Sequence, residues 1–378
     1  MGITDPITSW YIKNILLPKS EKIDVPGFIL TEIGEGANKT YLREIAIPEE
    51  IFVNLEKQVE KKYGLSGSKV LYSIGKKIGY TNGSLMEYPV YGGVNNEEFL
   101  KFLKYIVYYI GAVCSGSIDY KVDVNNKRIE FTMEDYIVCR KNGLGYLFSS
   151  GGVAGMWAYM MGDNSIEAVK TSCQGHGDKL CKVISEPKNA LKSHNLAYMD
   201  EENLPKLDLK KEYWEFNAIK ATTYSKKSLR DLINSNIFSY SKGCILYKRE
   251  RYFLLEAYAI YLMEKELEGI EDGNQILFGI AFDYAQKLIK DNKELRSLNF
   301  VNDFLVATGW GDLLITKKEG VFNILIKSFP WADFKDPRFF LFRGLVSGFV
   351  SEVSGNKVIF ERFDISLTKD SFNVTLKS

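Results

Sequence analysis

Cys173 and Cys181 are the residues best spaced for chemistry, flanking the turn Gln174-Gly175-His176-Gly177-Asp178. Val169, Thr171 and Cys173 alternate along one stretch, and Cys181 and Val183 along the next, so the pattern predicts a strand hairpin. Standing on either side of its turn, the two thiols are expected to face one another across the ladder, where a free pair or a disulfide would both fit. Other chemistry is scarce. Of the 2 histidines, His176 lies in this turn and His194 in a polar stretch, and no Ser-His-Asp order, paired carboxylates, or flavin or nicotinamide fingerprint stands out. The segment from Gly34 to Thr40 ends in Lys39-Thr40 as a phosphate loop does. It fails because Asn38 stands where glycine must precede the lysine and the first glycine is one residue too close, so it reads as a turn. The chemistry therefore points away from an enzyme.

The elements that must position the hairpin come as a repeat. The stretch Gly151-Gly152-Val153-Ala154-Gly155-Met156-Trp157 to Gly162 returns as Gly344-Leu345-Val346-Ser347-Gly348-Phe349-Val350 to Gly355. Upstream, Leu71-Tyr72-Ser73-Ile74-Gly75 with Gly79 is echoed by Leu277-Phe278-Gly279-Ile280-Ala281 with Ala285. A period near half the chain means two copies of one domain. The spacing predicts a helix from Pro48 with Ile51, Leu55, Val59 and Tyr63 on one face, closed by Gly64, and a counterpart over Arg251 to Gly269. Residues 1 to about 45 read as mixed and turn-rich. Phe99, Leu103, Ile106 and Ile110 suit a helix apolar on most sides and mostly buried, matched by Phe300 to Thr308, whose exit Gly309-Trp310-Gly311 is tight. Alternating strands follow in each half, Ile118 to Val124 with Ile129 to Met133, and Leu313 to Ile315 with Phe322 to Ile326. Gly151 and Gly155 fall one turn apart on a single helical face. Each interior glycine costs about 1 kcal/mol relative to alanine, so something must approach that face: the sheet, the same helix of a partner chain, or a ligand.

The bulk numbers set outer bounds. In 378 residues, 46% are hydrophobic and 26% charged, and Lys+Arg 49 balance Asp+Glu 48, leaving no field for nucleic acid or an anionic membrane. The longest apolar run, Tyr105 to Cys114, falls far short of a bilayer span, and the 5 cysteines do not read as a disulfide framework. With no leader pattern at the N-terminus, the expected location is the cytoplasm.

The order of helix, Leu71 motif, second helix, hairpin, glycine-rich helix and closing Cys173 to Cys181 hairpin resembles the 4-vinyl-reductase-type (4VR) domain. Its most specific part is the closing segment with Gly177-Asp178 between the cysteines. That family is related to TRAPP vesicle-tethering subunits and to the effector-sensing domains of aromatic-responsive regulators. The likeness covers about residues 45 to 187 directly and about 245 to 378 through the repeat. It implies an α+β fold of the NO-signalling and Golgi-transport ligand-binding kind, in two tandem copies with helices on one side of an antiparallel sheet. It also implies a homodimer or an intramolecular pseudo-dimer, and a pocket for a small apolar molecule. The residues proposed to line that pocket are Phe99, Phe102, Tyr105, Gly151, Gly155, Trp157 and Tyr159.

Members of the family that bind zinc pair the two terminal cysteines with a further upstream cysteine and an acidic residue three positions before the first. Here that position is Lys170; His176 offers a substitute, and Cys173, His176 and Cys181 with Cys139 would make a tetrahedral zinc set. Counted from the last glycine of each glycine-rich helix, Ser366 and Val374 stand where Cys173 and Cys181 stand, so the second copy has lost the thiols. The domains are placed at 1–187 and 211–378 with a polar linker at 188–210. The expected function is a non-enzymatic, small-molecule-binding regulator or adaptor with an unidentified protein partner. The alternatives are a dimerising scaffold like the tethering subunits and, behind it, a reductase accessory enzyme.

Overall fold

The computed structural model describes residues 25–33, 40–201, 204, 223–241, 244–292, 296–367 and 372–378. The turn expected over Gly34 to Lys39 and most of the linker beyond Glu201 lie outside the described residues. Contacts divide the chain into two compact units, the first centred on Phe52–Asp208 and the second on Lys19–Ile51, Leu209–Ser241 and Ile245–Ser378.

Strands β1 (Ile29–Ile33) and β2 (Thr40–Pro48) occupy a region that reads as turn-rich. Their alternation is hidden because both faces of β2 are covered: Arg43 and Glu44 are as buried as Ile45 and Ile47. The Arg43 guanidinium is satisfied by carbonyl oxygens of Gly27 (3.0 Å), Gly309 (2.8 Å) and Ser328 (3.2 Å) and stacks on Phe28, and burial lowers its pKa to about 9. α1 (Glu49–Tyr63) then starts at the expected place with two acidic residues in its first turn, buries Ile51, Leu55 and Val59 completely, and stops at Gly64 in the left-handed region.

In the first unit α1 is followed by α2 (Leu65–Leu85), which carries the Leu71 motif, and by α3 (Asn96–Cys114), capped by Asn95. α3 buries Phe99, Leu103 and Ile106 but leaves Tyr105 44% exposed, so it is covered on one face and not on most. Next come β3 (Ser117–Asp123), β4 (Arg128–Glu134), the one-turn helix α4 (Cys139–Asn142), a π-helical turn over Tyr146–Gly152 and α5 (Val153–Met161). Strands β5 (Ile166–Ser172) and β6 (Cys181–Pro187) and the short α6 (Lys188–Ser193) complete it. The sheet is antiparallel in the order β3-β4-β6-β5.

The second unit adds α7 (Leu229–Asn234), β7 (Phe238–Ser241), β8 (Cys244–Tyr247), β9 (Glu250–Glu256) and α8 (Ala257–Leu267). The single helix expected over Arg251 to Gly269 is thus a strand followed by a helix. The run Tyr252-Phe253-Leu254-Leu255 is apolar enough for either, and antiparallel pairing with β2, Ala46 opposite Leu254, decides for the strand. These strands form a sheet in the order β1-β2-β9-β8-β7. α9 (Gly273–Lys290), α10 (Leu298–Ala307), β10 (Asp312–Lys318), β11 (Val321–Lys327), α11 (Phe340–Ser354), β12 (Arg362–Leu367) and β13 (Phe372–Lys377) repeat the order of the first unit. Their sheet runs β10-β11-β13-β12, the same topology as the first. The fold is α+β, and no helix among the described residues is long and apolar enough to cross a membrane.

The repeated glycines explain themselves in this frame. A Cβ at Gly155 would lie 1.9 Å from the carbonyl oxygen of Lys76, and one at Gly151 would lie 2.3 Å from that of Tyr72. Reciprocally, Gly75 abuts the Leu147 carbonyl and Gly79 that of Gly152. In the second unit Gly344 and Gly348 meet the Phe278 and Phe282 carbonyls and the methyl groups of Ala281 and Ala285. The face left bare by the glycine-rich helix is filled by the backbone of the preceding motif helix of the same copy.

A buried carboxylate repeats as well. Glu56 on α1 accepts the backbone N–H groups of Gly145 (2.8 Å) and Leu147 (3.0 Å), and Glu264 on α8 accepts those of Phe339 (3.0 Å) and Leu341 (2.9 Å). Each caps the start of its glycine-rich helical segment from a distance, satisfying amides that would otherwise be orphaned. Burial outweighs these bonds and pushes Glu264 up to about 7. Because the folded pKa lies above the ordinary carboxylate value, stability contributed here is fully present below about pH 4.5 and is lost as pH rises through about 7, an effect of about 3 kcal/mol. Denaturant midpoints measured from pH 4.5 to 8 are expected to fall with pH more steeply in the wild type than in Glu264→Gln; parallel curves would refute the assignment.

Candidate functional site

Three thiols converge in the first unit. Cys139 comes from α4, Cys173 from the residue after β5, and Cys181 from the first position of β6. Their sulfurs are 3.0 Å (Cys139 to Cys173), 3.3 Å (Cys139 to Cys181) and 3.8 Å (Cys173 to Cys181) apart, all three side chains are buried, and all three are free thiols. The hairpin alone does not make this cluster. Cys139 touches both other sulfurs, and it is placed by a turn in which Val138 takes φ 60° and Gly143 φ 78°. The hairpin tip lies directly on that turn, since a Cβ at Gly175 would fall 2.2 Å from the Cys139 carbonyl oxygen.

Thiol hydrogen bonds dominate the electrostatics. Cys173, bonded by Cys139 and Cys181, is held well below the usual thiol range, while Cys139 is pushed far above it by its bond to Cys173. Three sulfurs this close cannot all ionise unless a cation joins them. Two backbone amides support the cluster's edge: Gln174 N–H points at the Cys181 sulfur (3.4 Å), and Cys173 N–H donates to the Asp178 carboxylate (2.7 Å).

Lys170, at the position where the resemblance places an acidic ligand, turns its ammonium onto the carbonyl oxygens of Gly143 (3.1 Å) and Leu144. A register shift between Lys170 and Ser172, where β5 bulges against β6, accompanies this placement. His176 does not join the thiols. Its ring packs on Gly143, where a Cβ would lie 2.0 Å from Cδ2, and the convergent group able to hold a metal comprises Cys139, Cys173 and Cys181. Donor chemistry and burial fit a thiophilic ion, and the four-ligand zinc set implied through His176 is not assembled.

Of the three thiols Cys173 alone borders an open cleft of about 400 Å³, whose walls include Tyr72, Tyr146, Ser150, Lys170, Tyr198 and Met199. Beside it lies a network that the sequence did not announce. Lys76, fully buried, donates to Glu167 Oε1 (2.7 Å), the Glu201 carbonyl (2.7 Å) and the Asn164 carbonyl (3.2 Å). Tyr72 OH donates to Glu167 Oε2 (2.5 Å) and accepts Ala168 N–H, while Glu201 N–H donates back to Glu167 (3.0 Å). The signal available was Tyr72 and Lys76 one helical turn apart, on the same face of the motif helix.

The residues expected to line an apolar pocket are placed elsewhere. Phe99 and Trp157 are fully buried and pack together at 6.2 Å, and Phe102 packs on Tyr88 at 5.1 Å. Tyr159 meets Tyr80 at 5.5 Å, Tyr105 meets Tyr109 at 6.2 Å, and Gly151 and Gly155 face α2. None of the seven lines the cleft.

No family model matches the chain, and no curated protein matches it. Among solved structures it is similar to the phenol-responsive sensory domain of the transcription activator PoxR, determined with phenol. The match has 16% sequence identity and a TM-score of 0.35, covering 52% of this chain and 98% of that one.

In the second unit the counterparts of Cys139 and Cys181 are apolar, and Ser366, at the place of Cys173, is exposed. Val374 pairs with Ile326 as Cys181 pairs with Met133, and Phe363 pairs with Leu376 as Lys170 pairs with Val183. Ala332 stands as far beyond Ile326 as Cys139 stands beyond Met133. Nearby, Phe329, Trp331 and Phe339 meet edge-on or tilted with centroids 4.6 to 6.2 Å apart, and Phe339 meets Phe363 edge-on at 5.0 Å.

Proposed function

We propose that the chain is a non-enzymatic, ligand-binding regulatory protein whose first unit takes a small, largely apolar molecule in the cleft beside the thiols. The carrying observation is the shared wall: Lys170 and Cys173 line the cleft, and so do Ala197, Tyr198 and Met199, just before the Glu201 that closes the Lys76 network. A cleft of about 400 Å³ lies in the range that suits small molecules. Its tyrosines and Met199 supply apolar contact, and His176 and Asp178 supply polar groups at the rim. An occupant would touch the 197–199 segment and so bias how Glu201 sits on Lys76 and Glu167, which turns occupancy into a change in the chain leading out of the unit.

In this reading a metal ion held by Cys139, Cys173 and Cys181 has a supporting part. It would neutralise the thiolates and tie the α4 turn to the closing hairpin, fixing one side of the cleft. The chain's own residues do the rest: Gly175 permits the close approach and Asp178 orients the Cys173 backbone.

Thr171 is exposed and lines the cleft, so Thr171→Trp fills it without entering the core. Native mass spectrometry of the purified wild type is expected to show excess mass of a small organic molecule that disappears on denaturation, and Thr171→Trp is expected to lack it. A wild type carrying no organic adduct, or a variant carrying the same one, would count against the cleft.

A further inference from the structure

The acidic ligand implied by the resemblance is replaced by a lysine, and the structure shows what that lysine does. Its ammonium is anchored on the carbonyl oxygens of Gly143 and Leu144, in the loop that leads away from Cys139. With its nitrogen engaged by those two carbonyl oxygens, Lys170 occupies the place of the acidic residue without offering a carboxylate oxygen. The convergent donors are then three sulfurs and nothing else among the described residues.

We propose that Cys139, Cys173 and Cys181 form a three-coordinate, all-sulfur centre selective for Cu(I) over Zn(II). Three physical points lead there. Zinc in structural sites is almost always four-coordinate, and this cluster supplies three ligands from burial so deep that no sulfur-bearing residue exceeds 1% exposure. Cu(I) is soft, prefers thiolate, and is content with three sulfurs around it, so softness and coordination number favour the same ion. A basic side chain flanks the triad, since Lys170 Nζ and Cys139 Cβ both lie 2.9 Å from where a Cβ at Gly145 would stand, and this favours a singly charged ion over a divalent one. Gln174 N–H, directed at the Cys181 sulfur, takes up part of what remains.

The proposal rests on reading the triad as a metal site, and the experiment separates the two. The full-length reduced protein is titrated without oxygen into Cu(I) held by a chromogenic chelator, and separately into Zn(II) held by a zinc-reporting chelator. The expected result is withdrawal of one Cu(I) per chain and no zinc, with Cu(I) withdrawal lost in Cys139→Ser. Lys170→Glu, which restores an acidic ligand, is expected to gain a retained zinc ion and so reverse the preference. Zinc withdrawn by the wild type in place of copper would overturn the selectivity and leave the metal site standing. Refusal of both ions by the wild type would overturn the metal site itself. The wild-type titrations decide the matter even if Lys170→Glu does not fold.

Discussion

Lys76→Met is expected to destabilise the first unit by about 3–5 kcal/mol, enough to abolish its cooperative unfolding at moderate temperature. The size follows from what is left behind. Glu167 is fully buried, and with the ammonium gone its carboxylate would keep, among the described residues, Tyr72 OH and the Glu201 N–H as partners. Burial already opposes ionisation on both sides of this pair, lowering Lys76 and raising Glu167 against their mutual attraction. The pair is therefore a poor source of net stability and a costly one to break. The double variant Lys76→Met with Glu167→Leu should recover a large part of the loss, because it removes the stranded charge while keeping the volume. Denaturant unfolding of the two single variants and the double variant measures the coupling. Single-variant costs that simply add would show that the pair does not act as a unit.

Gly155→Ala should cost the first unit about 3 kcal/mol, while Gly279→Ala should stabilise the second by up to about 1 kcal/mol. Both substitutions add one methyl group to a glycine inside a helix. At Gly155 the methyl would sit 1.9 Å from a backbone oxygen of α2, which cannot move without moving the helix that carries Tyr72 and Lys76. At Gly279 nothing lies within 4 Å, so the helix gains propensity with no clash. Thermal melts of the two variants should shift in opposite directions. A Gly155→Ala protein as stable as the wild type would mean that the two backbones are not in contact.

These glycines also show how much could be read beforehand. The repeat, the helix starting after Pro48, both strand hairpins and the closing turn were legible, because each rests on periodicity or on local turn chemistry. What approaches the bare face of Gly151 and Gly155 was not, since a partner helix 70 to 80 residues upstream leaves no trace in local spacing. β2 and β9 were missed for a related reason. Arg43 and Glu44 look like surface residues until three distant carbonyl oxygens and a threonine hydroxyl are brought to them. In the thiol cluster the two hairpin cysteines declared themselves. Cys139 entered only through the family resemblance, although the structure puts it against both of them.

The aromatic packing of the second unit makes the two copies unequal in what substitution can do to them. In the first unit a thiol can be exchanged for serine or alanine with little change in volume, one substitution at a time. The reverse journey in the second unit has no such steps. A cysteine at Ala332 would enter a buried position next to Trp331, whose ring already packs on Phe329 and Phe339, and a lysine in place of Phe363 would remove the ring that meets Phe339. Rebuilding a thiol triad in the second copy would therefore mean dismantling packed aromatic rings, whereas the first copy can lose its own by a single small substitution.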